Sequence, residues 1–199
     1  ASNNDLEISK NVADAFQKIG EYGIVTTEKS NSFNTTIKIT DGIRWDKSHP
    51  TPLLRNRDGT STIVNNPKIF VTDLNINTVK EMLFLLQLQE VIQRPLVVIC
   101  DDIAEIPLEI LVHNVNNNKI PLYILRTPYI AQAKTDGYID LAIITNSTFL
   151  SKYQGYNLED LTEDMLGSCD RVEIDNQYTY LLGRHGSEIE INNRIEYYK

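Results

Sequence analysis

Residues 94–115 read RPLVVICDDIAEIPLEILVHNV. From Leu96 to Cys100 every side chain is apolar, and Pro95 and Asp101 bracket the run. A stretch that short and that uniformly apolar reads as a strand covered on both faces, the condition of an inner strand in a parallel sheet. Beyond the acid pair Asp101–Asp102, the apolar residues of IPLEILVHNVNN (106–117) return at helical spacing, with Pro107 in the first turn, where its missing N–H loses no bond. The alternation continues in both directions. KIFVTD (68–73) reads as a strand leading into a helix over 76–92 capped by Asn75 or Asn77, and IPLYILRTP (120–128) as another buried strand. TDGYIDLAIITNSTFL (135–150) gives a helix or turn and a short strand, and NLEDLTEDMLGSCDRVEID (157–175) a helix followed by a strand. NQYTYLLGRHG (176–186) adds a strand and SEIEINNRIEYYK (187–199) begins a helix. Strands alternating with helices specify an α/β domain.

The first 40 residues have a different texture. Leu6, Ile8, Val12, Ala15, Phe16 and Ile19 recur at helical spacing between a cap at Asn4 or Asp5 and a stop at Gly20 or Gly23. GIVTTE (23–28) and NTTIKIT (34–40) are short β-branched runs. One helix and two strands cannot bury a core alone, so the chain divides into a small segment, 1–40, and a main domain, 41–199. The stretch 42–67, rich in Pro, Asn and Gly, reads as irregular or short-stranded.

The 199 residues are 41% hydrophobic, enough for a core, and carry 19 Lys+Arg against 27 Asp+Glu, a formal net charge of −8. That acidity argues against broad nucleic-acid binding, which needs a basic face for phosphates. No run approaches the ~18 apolar residues of a membrane span, and the polar opening ASNNDLEISK is no signal peptide. A cytoplasmic protein with neither membrane nor nucleic-acid partners is expected. Cys100 and Cys169 lie far apart and read as free thiols, and His49, His113 and His185 are scattered, so no metal site is expected.

The helix VKEMLFLLQLQEVI (79–92) carries more apolar surface than one sheet can cover. Five consecutive apolar residues, Met82 to Leu86, point in every direction around a helix. With Val79, Met82 and Leu85 facing the sheet, Leu83 and Leu86 point elsewhere, and leaving them in water forgoes about 1.5–3 kcal/mol each. In the second helix an inward Leu111 and Val115 leave Leu108 and Val112 outward. Two such helices make a groove, unless a third element, such as the segment around Leu53 and Leu54, covers them; spacing leaves both open.

Asp101 and Asp102 end a buried strand, where α/β sheets gather ligands and catalytic acids. They suit a divalent metal or acid–base work, or simply end the strand and cap the turn, and no His, Lys or glycine loop nearby completes a site. RDGTST (57–62) lacks phosphate-loop spacing and reads as a turn around Asp58–Gly59. Ser, His and Asp occur without a nucleophile elbow.

The order of these pieces is informative. RPLVVICDDIAEIPLEILVHNV gives basic-Pro, apolar strand, acid pair and an apolar helix reaching an Asn. DGIRWDKSHPTPLL (41–54) gives Gly-x-x-aromatic-Asp-basic, then Ser/Thr-Pro and two large apolar residues. NPKIFVTDLNINTVKEML, ADAFQKIGEYGIVTTEKS, IDLAIITNST and LEDLTEDMLGSCDRVEID fall at the matching places. Over nearly its whole length the chain resembles the group I chaperonins, the GroEL family. The resemblance implies an apical domain over 41–199, sheet layers flanked by helices in the swivelling β/α/β type, and a small α+β piece of the intermediate domain over 1–40. The ATP-binding equatorial domain has no counterpart here, so this fragment is expected to be no enzyme and to hold no cofactor, whereas full-length members hydrolyse ATP with Mg. In that family, rings of identical subunits bind non-native polypeptide on two apical helices, and a co-chaperonin competes for the same surface. By position, the implied polypeptide-binding residues are His49, Leu53, Leu54, Leu83, Leu86, Leu108, Val112, His113 and Asn114; no catalytic or metal residue is implied.

The chain departs from the family pattern. His49 and Leu53 stand where tyrosines are usual, Leu54 where phenylalanine is, and His113 where an aliphatic residue is. AEIP replaces the glycine between acid pair and helix, and PYIAQAKTDGY (128–138) is short and weakly basic. These departures bear on co-chaperonin binding more than on client binding, and suit a specialised or phage-encoded chaperonin of the bacterial or infected-host cytoplasm. The competing readings are a small α/β enzyme with a divalent metal at Asp101/Asp102, and a structural apical domain whose groove is filled by its own loop or a neighbouring subunit.

Overall fold

The computed structural model describes Lys10, Ala13, Asp14, Gln17 and residues 42–46, 61–118, 120–127, 132–175 and 178–198. The chain forms two compact units, Ala1–Asp41 and Gly42–Lys199. In the first, the four described residues are helical, within the expected opening helix. The runs at 23–28 and 34–40 lie outside the described residues, as does the turn at Asp58–Gly59.

The second unit is an α/β domain. Its elements are β1 (Gly42–Asp46), β2 (Thr62–Asn65), β3 (Lys68–Thr72), α1 (Val79–Ile92), β4 (Leu96–Cys100), α2 (Glu105–Asn118), β5 (Leu122–Arg126), α3 (Gln132–Thr145), β6 (Phe149–Leu150), β7 (Gly167–Ser168), β8 (Arg171–Ile174), β9 (Tyr178–Leu182) and α4 (Glu188–Tyr197). One sheet has the order β5-β4-β3-β6, all parallel, with the short β7 antiparallel to β3. The other, β1-β9-β8-β2, is antiparallel throughout.

Side-chain alternation explains why all of β4 is buried. Leu96, Val98 and Cys100, with Phe70 and Ile124, face a core closed by Met82 and Leu85 of α1 and Leu111 of α2. Val97 and Ile99, with Ile69, Val71 and Leu125, face a second core shared by Tyr138 and Leu141 of α3 and by Trp45, Val172 and Leu181 of the antiparallel sheet. The parallel sheet is thus sandwiched, with α1 and α2 on one face and α3 and the second sheet on the other.

Two local expectations are corrected. The cap of α1 is Thr78, not Asn75 or Asn77: Glu81 N–H donates to Thr78 Oγ1 (3.2 Å), and Glu81 Oε2 accepts from the N–H groups of Thr78 (2.7 Å) and Asn77 (2.8 Å). This reciprocal box needs Ser or Thr three residues before Glu, a pairing only Thr78 offers. The helix expected within 157–175 is instead two separate 3-10 turns, Leu158–Asp160 and Glu163–Met165. Leu158, Leu161 and Leu166 are all buried, and extended backbone at Leu161 and Thr162 lets each turn restart and drop its leucine into the core beneath α1. Cys100 and Cys169 are buried free thiols, each pushed up to about 12 by burial. No described helix is long and apolar enough to cross a membrane.

Candidate functional site

Right-handed crossovers place α1, between β3 and β4, and α2, between β4 and β5, on the same sheet face. Both run against the strands, and so parallel to each other, and they pack together. A parallel bridge pairs Ile76 with Ile103, backed by the bonds Ile76 N–H to Asp102 O (2.9 Å) and Ala104 N–H to Ile76 O (2.8 Å). The bridge lies just before each helix, three residues ahead of Val79 and two ahead of Glu105, so the two helices begin side by side.

Which side chains share the cleft follows from helical rotation of about 100° per residue. In α1 the buried line is Met82, Leu85, Gln89 and Ile92. Val79, Leu83, Leu86 and Glu90 flank it on one side; Glu81, Phe84 and Leu88 flank it on the other. The second flank looks toward β6, because Glu81 lines a cavity of about 240 Å³ with Leu158 and Lys152. Lys80, on the outer crest, leans the same way to pair with Glu159 at 2.9 Å, a contact that raises the lysine's pKa. The first flank therefore faces α2. A parallel neighbour on the same face turns its opposite flank back. In α2, around the buried Pro107 and Leu111, that is the side carrying Ile106, Ile110, His113, Asn114 and Asn117. Carried into the helices, the Ile76–Ile103 register sets Val79 near Ile106, Leu83 near Ile110, Leu86 near His113, and Glu90 near Asn117, to within about one residue.

Exposure fits this geometry. Leu83 is 47% exposed, Val79 43% and Ile106 61%. Leu86 and Ile110 are part-buried at the groove floor. The polar residues of α2 bond along their own helix: Asn114 Nδ2 donates to Ile110 O (2.8 Å), and Asn117 Nδ2 meets His113 Nδ1 (3.1 Å).

Of the residues singled out from sequence, Leu83, Leu86, His113 and Asn114 come together along the groove. Leu108 and Val112 are part-buried on the flank of α2 remote from α1, a correction that follows from the crossover hand. Val79, expected to face the sheet, lies on the groove flank instead. His49, Leu53 and Leu54 lie outside the described residues. Ile106 and Ile110 were missed, because the strand order that, with the crossover hand, sets the α2 face toward α1 is not contained in the spacing of one helix.

The acid pair is engaged elsewhere. Lys134 of α3 pairs with Asp101, and Arg126 Nη2, at the end of β5, sits 2.5 Å from Asp102 Oδ1. Asp102 Oδ1 also accepts from Ile103 N–H (2.8 Å). A metal at this pair would have to displace two internal cations. Ser168, His185 and Asp170 form a hydrogen-bonded chain, Oγ to Nδ1 at 2.8 Å and Nε2 to Oδ1 at 2.9 Å. Ser168 lies within β7, paired with Lys68, rather than on a strand-to-helix elbow, so the chain works as a clasp between β7 and the loop after β9. Among the described residues no group of three or more potential metal ligands is found. No protein-family model matches the chain.

Proposed function

We propose that this chain is the polypeptide-binding part of a divergent group I chaperonin, an apical domain carrying a short intermediate-domain segment, that captures non-native polypeptides in the α1–α2 groove. The observation that carries the reading is the pair of aliphatic flanks on helices that start side by side at the Ile76–Ile103 bridge, with Leu83 47% and Ile106 61% exposed. An unfolded segment that buries its own apolar side chains there removes both surfaces from water, at about 25 cal/mol per Å². Aliphatic walls demand no particular sequence, which suits a binder of many clients. One groove binds weakly; a ring of identical subunits raises the effective concentration and holds a client at several points. ATP hydrolysis, the co-chaperonin and a cytoplasmic location belong to the same proposal, since they come with the family.

The test is capture of a chemically unfolded, reduced model protein by the native chain and by a Leu83→Ser/Ile106→Ser double variant. The variant is expected to lose binding at least tenfold and keep its melting temperature, because both side chains are already exposed. Equal capture by the two chains refutes the proposal. Calcium or magnesium titration with a thermal-shift readout addresses the enzyme alternative at Asp101/Asp102.

A further inference from the structure

We infer that the groove is polar at one end by design, and prefers client segments that carry a lysine or arginine about four to six residues from their outermost aliphatic side chain. This rests on the client-binding reading above and specifies its substrate class. The register puts two fully aliphatic levels, Val79/Ile106 and Leu83/Ile110, at the start of the helices, a mixed level, Leu86/His113, next, and a polar level, Glu90/Asn117, last. Glu90 is exposed and has no ion-pair partner among the described residues. Arg94, four residues further along the chain, turns its Nη2 to the Asn66 carbonyl at 2.6 Å. An incoming cation is therefore the natural partner for the Glu90 carboxylate.

Spacing sets the preferred segment. At 1.5 Å per residue Glu90 lies about 16 Å along the groove from Val79. An extended client advances about 3.3 Å per residue with side chains on alternate faces, so the groove-facing positions nearest that span are about four and about six residues from the side chain seated at the first level. The reach of a lysine or arginine stem covers the remaining ~3 Å.

The experiment measures fluorescence anisotropy of three labelled peptides with one alternating Leu/Val–Ser/Thr pattern, differing only in Lys, Gln or Glu about four residues after the first aliphatic, on the same face of the strand. The expected order is Lys, then Gln, then Glu, with a span of about threefold at low salt. The span collapses near 0.5 M salt and in Glu90→Gln, and survives in Glu163→Gln, a remote control with the same change in net charge. Equal affinity for the three peptides, with binding still abolished by Leu83→Ser/Ile106→Ser, overturns the charge preference and leaves the groove standing. A span that shrinks equally in both glutamate variants assigns it to net charge and also overturns the preference. If no peptide binds, or the double serine variant binds them unchanged, the groove reading itself fails.

Discussion

The α1–α2 face and helix α4 expose similar side chains and organise them differently. On α1 and α2, Val79, Leu83 and Ile106 stand 43%, 47% and 61% exposed, on flanks of helices that start side by side. On α4, Ile189, Ile195, Tyr197 and Tyr198 are exposed to between 48% and 73%. At about 100° per residue those four spread around the helix instead of forming a stripe. The α4 tyrosines are also tied down: Arg194 packs over both rings at 5.0 and 4.8 Å while its Nε and Nη2 bond Asp140 (2.6 Å) and Asp136 (2.8 Å) of α3. The proposed binding surface thus rests on two neighbouring apolar rows over a shared floor, not on exposed apolar area alone.

The largest effect expected separates the two sides of α1. Leu85 is wholly buried, so Leu85→Ala costs about 2–5 kcal/mol, read as a lowered urea midpoint. Leu83→Ala costs less than about 0.5 kcal/mol in the same measurement while weakening client capture. Comparable losses at the two positions would put Leu83 in the core and erase the contrast between groove and floor.

The buried core has its own signature. Cys100 and Cys169 ordinarily titrate near 9.0 and are raised to about 12 by burial, and burial moves Tyr138 upward from 10.0 as well. Below pH 9 folded and unfolded chains both hold these protons, and the stability is fully present. As pH climbs from about 9 toward 12 the unfolded chain releases them first, so stability falls. Urea midpoints at pH 7.5, 9 and 10.5 are expected to be level over the first step and to drop over the second, with both thiols unreactive to a disulfide exchange reagent until unfolding. Rapid labelling of the native chain at pH 8 would contradict the burial.

A smaller effect sharpens the α4 side. Arg194→Met leaves Asp136 and Asp140 facing one another without their cation, at a cost of about 1–3 kcal/mol. Client capture through α1–α2 is expected to stay unchanged. Arg194→Lys recovers only part of the loss, because one ammonium cannot bridge two carboxylates as the guanidinium fork does. Reduced capture in Arg194→Met would mean the α4 surface takes part in binding.

Most of the α/β framework was legible because its strands are short, uniformly apolar runs such as LVVIC, and its helices carry long periodic stretches. The 157–175 segment misled because leucines three apart suit an α-helix and a pair of 3-10 turns equally, and only the core beneath α1 selects the turns. At the site, surplus apolar residues on α1 and α2 could be counted from sequence, and Leu83 and Leu86 followed. Choosing Leu108 and Val112 over Ile106 and Ile110 required an origin for the α2 wheel. That origin is fixed by the position of α1 and the hand of the crossover, neither of which spacing within one helix contains.

The most direct test is amide hydrogen exchange of the chain alone and saturated with an unfolded client. Slowed exchange is expected across 79–90 and 106–117, with α4 unchanged. Protection that falls on α4 or around Asp101–Asp102, with α1 and α2 exchanging as before, would contradict the account.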